Sequence, residues 1–472
     1  MDVLMVTSEA VPFSKSGGLA DVLGSLSPAL VKAGAAVRVY MPMYSFIDSK
    51  GFKPSSSFTV PMLNKEEKIE TVSRTLNGVE YVGVVHPYFT ERKGIYGDTS
   101  FTPYADNAPR FMLFAKSVGF YIKATRKPDV VHSHDWTAGL VSYYMKEQKI
   151  KTRTVFTIHN LAYQGDFSRY DSVLAGDRLA PGCLSGPPGA KRLNMLQAGL
   201  VYSDRITTVS PTYAKEIQTK KFGCNLDPIL VERKRFLYGI LNGMDTEDWN
   251  PAKDKHFSEH YSIRSMSGKA ELKKRFLKEM GLEGEDKPLI AMISRIADQK
   301  GYPELLDGLH PALPEILDMD VNVVIVGSGD KRYEDKLKAL AAERKNLHVS
   351  IAFSESLSHV VEGAADFFLM PSRYEPCGLN QLYSLRYGTL PIAHRTGGLA
   401  DTILDMDEYG AKGDGFLFNA LSSAEITKAV KRAVRLYGDK AKLAKAIYVA
   451  MKQDFSWHRS ATEYLDLYED RA

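Results

Sequence analysis

Short runs of β-branched and apolar residues alternate along this chain with segments of helical period, in two separate series. That alternation marks a doubly wound, mainly parallel α/β sheet, in which each strand returns through a helix. In the first series strands are expected at Val3–Thr7, Val37–Met41, Val130–Ser133, Thr154–Ile158 and Arg205–Val209. Leu23, Leu26 and Leu30 recur at helical spacing after the first strand, so a helix is expected to open at Asp21. The polar stretch from about Ser45 to Tyr81 reads as an antiparallel excursion or insertion without a fixed place. The second series follows Asn242-Gly243-Met244-Asp245 and the Trp249-Asn250-Pro251 breaker, with strands expected at Leu289–Ser294, Val321–Val326, Leu347–Ala352, Phe367–Met370 and Pro391–Ala393. Leu272, Phe276, Leu277 and Met280 line one face of an amphipathic helix before it. A chain of 472 residues is too long for one ordinary core. The expected division is 1–243, 244–453, and a 454–472 tail whose helix crosses back to the first domain.

The two halves carry an echo. Lys15-Ser16-Gly17-Gly18-Leu19-Ala20-Asp21 in the first is matched by Arg395-Thr396-Gly397-Gly398-Leu399-Ala400-Asp401 in the second. Two similar halves would place both turns at the carboxyl ends of their sheets, where open α/β folds bind ligands. Paired glycines let backbone approach a ligand closely, and a following helix N-terminus favours an anion. Lys15 adds a mobile positive charge suited to a diphosphate. A tight turn with Asp21 as a helix cap accounts for the same residues.

Four further motifs end predicted strands. Arg295 and Lys300, in SRIADQKG, are cations five residues apart, able to stabilise the charge of a departing diphosphate, although surface Lys and Arg are usually just solvated. Glu375, in PSRYEPCGL, is a carboxylate placed to bind sugar hydroxyls, a reading favoured over a mere helix-start charge. His132-Ser133-His134-Asp135-Trp136 and Thr157-Ile158-His159-Asn160 suit the orientation of sugar hydroxyls. The i, i+2 histidines lack the spacing of a zinc site, so no metal is expected, and His132 also fits a satisfied core histidine.

The totals narrow the field. Sixty-one basic against 57 acidic residues, a net of +4, are too even for nucleic acid or an anionic membrane to be the main partner. Cys183, Cys224 and Cys377 form no CxxC pair, which fits a reducing, cytoplasmic setting. The opening MDVLMVTSEA lacks a basic start before an apolar run, so no signal peptide is expected.

Together KSGGLADV, HSHDW, TIHN, ILNGMD, SRIADQKG, PSRYEPCGLNQLYSLRYGTLP and RTGGLADT span nearly the whole chain. In order and spacing they resemble the bacterial glycogen synthase and plant starch synthase family. The resemblance implies a GT-B architecture, two Rossmann-like domains facing across a cleft that holds the active site. It implies transfer of glucose from ADP-glucose, as substrate and with no cofactor, to the non-reducing end of an α-1,4-glucan such as glycogen, with retention of configuration. Carried over residue by residue, Lys15, Gly17 and Gly18 match the donor-binding loop, and Arg295 and Lys300 the diphosphate clamp. Glu375 matches the essential acidic residue, and Cys377, Gly378 and Leu379 the loop against glucose and phosphate. Asp135, His159 and Asn242 match positions lining the sugar site, Phe353 the ring stacked on adenine, and Thr396 the second glycine turn. Three positions depart from the pattern: Ser16 replaces the usual Thr, Thr137 a common His or Gln, and Tyr383 the second Glu of many retaining GT-B enzymes. Two rivals stand beside this reading: a related glucosyltransferase using UDP-glucose or a small sugar acceptor, and a glucan-binding or regulatory protein without turnover.

Overall fold

The computed structural model describes residues 1–62, 65–98, 102–168, 179–186, 191–352 and 354–471. The chain forms two compact units, Met1–Gly243 with Trp457–Ala472, and Met244–Ser456. The return to the first unit therefore falls at Ser456/Trp457, three residues beyond the expected 453/454. Met244 N–H donates to the Phe455 carbonyl at 2.8 Å and keeps that stretch with the second unit.

The main sheet of the first unit has nine strands among the described residues: β1 (Asp2–Val6), β2 (Ala36–Pro42), β3 (Lys53–Met62), β4 (Lys65–Leu76), β5 (Val79–Val85), β6 (Val130–His134), β7 (Arg153–Ile158), β8 (Arg205–Thr208) and β9 (Leu237–Gly239). Their order is β9-β8-β7-β6-β1-β2-β5-β4-β3. All neighbours are parallel except β5–β4 and β4–β3. The polar stretch after Ser45 thus becomes a hairpin on the sheet edge. Its last strand, β5, runs past Tyr81 and joins the parallel sheet against β2. Helices cover both faces of a parallel sheet, so its strands read as continuous apolar runs; Val3, Leu4, Met5 and Val6 are fully buried.

The first helix spans Gly18–Lys32 and buries Leu23, Leu26 and Leu30. It starts three residues before the expected Asp21, which lies in its first turn. Gly17 is extended and ends the loop, and the Glu9 carboxylate accepts from the Ser16 and Gly17 amides, fixing the turn earlier than the side-chain pattern suggests.

The C-terminal helix Trp457–Tyr468 packs on this unit through Trp457, Ala461, Tyr464 and Tyr468, an i, i+4, i+7, i+11 stripe. Tyr468 reaches into the sheet, where its hydroxyl lies 2.7 Å from His132 Nδ1, and His132 Nε2 lies 2.6 Å from Thr157 Oγ1. His132 is thus a core histidine held by side chains. Tyr468→Phe leaves a buried ring nitrogen unpaired and is expected to cost about 1–3 kcal/mol in chemical denaturation.

The second unit holds six parallel strands: β10 (Leu289–Ile293), β11 (Asn322–Val326), β12 (Leu347–Ser350), β13 (Phe367–Met370), β14 (Leu390–His394) and β15 (Phe416–Phe418), in the order β12-β11-β10-β13-β14-β15. Helix Ser267–Glu279 buries Leu272, Phe276 and Leu277 as its periodicity implies. Strand order reverses at β1/β6 in the first unit and at β10/β13 in the second. Side-by-side loops diverge there and open a crevice at the carboxyl edge. No helix among the described residues is long and apolar enough to cross a membrane.

Candidate active site

In the second unit the loops after β10 and β13 flank the switch point, and they carry SRIADQKG and PSRYEPCGL. A single turn, Asp298–Lys300, ends at Gly301 with φ +84°, where a Cβ would fall 2.1 Å from the Pro371 carbonyl. This glycine lets the two loops touch. Arg373 N–H donates to Gln299 O at 2.8 Å, and Gln299 Nε2 to Tyr374 O at 3.2 Å. The contact delivers Lys300 Nζ to Glu375 Oε2 at 2.5 Å, with the two side chains 17% and 9% exposed. Ser372 Oγ donates to the same oxygen at 2.9 Å. Arg295 is exposed at the loop edge, its guanidinium 2.8 Å from Gln299 Oε1.

The second glycine turn packs directly behind Glu375. Gly398 N–H donates to the Glu375 carbonyl at 3.1 Å. A Cβ on Gly397 (φ +47°) would sit 1.9 Å from that carbonyl oxygen, and one on Gly398 would sit 2.1 Å from the Cys377 carbonyl. Thr396 is buried as the residue before helix Gly397–Thr402. Cys377 is buried, and Gly378 takes φ +75°. Leu379 precedes helix Asn380–Arg386, which is anchored by Asn380 Nδ2 on the Ile293 carbonyl at 2.8 Å. The structure therefore gathers Lys300, Glu375, Cys377, Gly378, Leu379 and Thr396 around one strand junction. Phe353 lies outside the described residues.

In the first unit the glycine turn is open: a Cβ on Gly17 or Gly18 would meet nothing within 4 Å. Lys15 is exposed and pairs with Asp21 at 2.6 Å. The turn's amides are taken by Glu9, which also accepts from Ser16 Oγ at 2.9 Å and the Tyr96 hydroxyl at 2.7 Å. Sequence reasoning missed Glu9 and Tyr96. An acid placed straight after β1, ahead of a Gly-Gly turn, was the available signal.

Across the switch point, Asp135 follows β6 with φ +56°, and its carboxylate accepts from His159 N–H at 2.8 Å. His159 Nε2 lies 3.1 Å from His134 Nδ1. Burial lowers the pKa values of His132 and His159 to about 3, and that of His134 well below the usual range, so all three rings are neutral. Asn242 is buried after β9, and its Oδ1 has no hydrogen-bond partner among the described residues. That leaves an acceptor ready for a hydroxyl donor.

Burial also raises Asp135 to about 7, against the opposing pull of the His159 and Asn160 amides. A carboxyl whose folded pKa exceeds its unfolded value stabilises the fold most below the unfolded value, 3.8, and loses that contribution as pH rises through about 7. Denaturation at pH 5 and pH 8 should show wild type losing stability relative to Asp135→Asn on going up in pH. The histidine contributions are common to both proteins and drop out of the difference.

Residues 2–232 match the family model described as starch synthase catalytic domain, and residues 273–450 the one described as glycosyl transferases group 1. A glycogen synthase of Anaeromyxobacter sp. is 42% identical over 481 residues, covering 100% of both chains. The chain belongs to the glycogen synthase family. A glycogen synthase of Myxococcus xanthus is 41% identical, covering 100% of this chain and 99% of its own. The catalytic domain of starch synthase IV from Arabidopsis thaliana, solved with ADP and acarbose, superposes with a TM-score of 0.88 at 29% identity over 99% of each chain. A sucrose-phosphate synthase from Thermosynechococcus elongatus shares the fold alone, at TM-score 0.63 and 15% identity. Membership fixes the fold as GT-B and the activity class as glycosyl transfer in glycogen synthesis.

Proposed function

We propose that the chain transfers glucose from ADP-glucose to the non-reducing end of an α-1,4-glucan with retention at the anomeric carbon, without a separate cofactor. The observation that carries this reading is the Lys300–Glu375 pair at the β10/β13 switch point, with Arg295 beside it. A half-buried cation held on a carboxylate is poised to exchange that partner for a phosphate oxygen. When the bond from glucose C1 to the diphosphate oxygen breaks, the electron pair passes to the diphosphate, and Lys300 and Arg295 stabilise the charge formed there. Glu375, released by Lys300, balances the positive charge developing on the sugar. The acceptor hydroxyl forms the new bond on the same face and passes its proton to a phosphate oxygen of the leaving ADP. Lys15, Gly17, Gly18, Asp135, His159, Asn242, Cys377, Gly378, Leu379, Thr396 and Phe353 serve the same reaction by binding donor and sugar. The ADP and acarbose in the starch synthase IV complex support both substrate classes. Three free cysteines fit a cytoplasmic enzyme.

Labelled ADP-glucose and UDP-glucose offered with glycogen test the proposal. The expected result is α-1,4-linked label from ADP-glucose. Preference for UDP-glucose would install the rival donor, and no incorporation from either would leave a binding protein.

A further inference from the structure

The second unit opens with a loop that packs on helix Glu355–Ala364 and brings two histidines and three carboxylates together away from the Lys300–Glu375 pair. His359, in that helix, is fully buried. Its Nδ1 lies 2.8 Å from Asp254 Oδ2, which also accepts from the Tyr387 hydroxyl, while Asp254 Oδ1 accepts from His256 N–H at 2.9 Å. The His359 ring is clamped as well as anchored. Trp249 stacks on it at 3.7 Å and 14°, and the Trp249 ring lies 3.7 Å and 3° from Tyr383. With Nδ1 facing Asp254, Nε2 is the ring nitrogen left to meet a further partner. That atom is buried and has no hydrogen-bond partner among the described residues, and the same holds for His256 Nε2.

Two separate groups of donor atoms adjoin the His359 ring. Asp248 Oδ2 lies 3.9 Å from His359 Nε2, while the other Asp248 oxygen is held by Lys255 Nζ at 3.1 Å. Ligand-capable atoms of Asp248, Glu355 and His359 all lie within 4.8 Å of one another, as do those of Asp254, His256 and His359. A carboxylate behind one histidine nitrogen, with the opposite nitrogen free, is the arrangement that orients imidazole as a metal ligand. One imidazole and two carboxylates form a mixed nitrogen and oxygen set suited to zinc-class cations, whereas magnesium and calcium take oxygen. Ligands on a tetrahedral zinc stand about 3.3–3.5 Å apart. Closing the 3.9 Å gap needs only a shift of a few tenths of an ångström.

We propose that His359, Asp248 and Glu355 bind a divalent transition-metal cation, with Asp254 as the carboxylate that orients His359. The ion ties the loop that begins the second unit to helix Glu355–Ala364. Through Trp249 it also braces Tyr383 on helix Asn380–Arg386, which follows the Glu375 loop. Its role is structural, and the charge of the reaction is carried by Lys300 and Arg295.

The test is a Co2+ titration of chelator-treated full-length protein in a Cys224→Ser background, which removes the exposed thiol. The expected result is one equivalent of Co2+ with visible tetrahedral absorption, quenched Trp249 fluorescence and displacement by Zn2+. Asp248→Asn and Glu355→Gln alter partly exposed side chains and should leave the Tm of the metal-free protein unchanged while weakening Co2+ binding more than about tenfold. Asp254→Asn should weaken it about 10–100-fold. Absence of a saturable one-equivalent signal, or unchanged affinity in both Asp248→Asn and Glu355→Gln, would overturn the site. Glycosyl transfer is untouched by either outcome.

Discussion

Lys300→Ala is expected to lower kcat by about 10²–10³-fold, the usual effect of removing one preorganised donor to a developing negative charge. The fold should survive, because Lys300 has one charged partner, Glu375, and Glu375 keeps the Ser372 hydroxyl. Lys300→Arg should restore little, since a planar guanidinium does not fit the space of a compact ammonium set against one carboxylate oxygen. Steady-state kinetics with donor in excess and a thermal melt of the same samples check both halves. A loss confined to KM would mean that Lys300 binds the donor without favouring the transition state. Near-normal turnover would remove it from the chemistry.

The second large effect separates two turns that look alike in sequence. Gly397→Ala puts a Cβ 1.9 Å from the Glu375 carbonyl oxygen, at φ +47°. Left-handed backbone alone costs about 1–2 kcal/mol for a residue other than glycine. Pushing the Glu375 backbone away adds to this, so a loss of about 3 kcal/mol or more is expected, with activity lost alongside. Gly17→Ala meets nothing within 4 Å and sits in extended backbone, so its melting curve should match wild type within about 1 kcal/mol. If Gly17→Ala keeps its stability yet loses activity, the open turn is where a ligand approaches the backbone. Equal stability loss in both variants would contradict the structure.

That contrast shows where sequence reading reaches and where it stops. The apolar runs placed the strands before KSGGLAD, HSHDW, TIHN, SRIADQKG, PSRYEPCGL and RTGGLAD within one or two residues, because a parallel strand buried on both faces reads as a continuous apolar run. The β9 strand before ILNGMD, short and half-buried at the sheet edge, was not expected. The motifs then fell at strand ends by connectivity alone. The KSGGLAD and RTGGLAD turns gave no sign that one is open and the other jammed against Glu375, since that contact joins residues about twenty apart. Glu9 offered only its position ahead of the Gly-Gly turn as a signal, because its contacts with Ser16, Gly17 and Tyr96 form only on folding. The β3/β4 hairpin resisted placement because an exposed edge leaves little apolar alternation to read. The pair of unpartnered histidine nitrogens depends on rotamers set by Asp254 and Trp249, and nothing in their spacing announces it.

The most direct test of the central claim is a crystal structure of the ADP complex. Lys300 Nζ should have left Glu375 and should lie about 2.7–3.0 Å from a diphosphate oxygen, with Arg295 on the same diphosphate. ADP bound with Lys300 still on Glu375, and both phosphates held by other groups, would contradict the account.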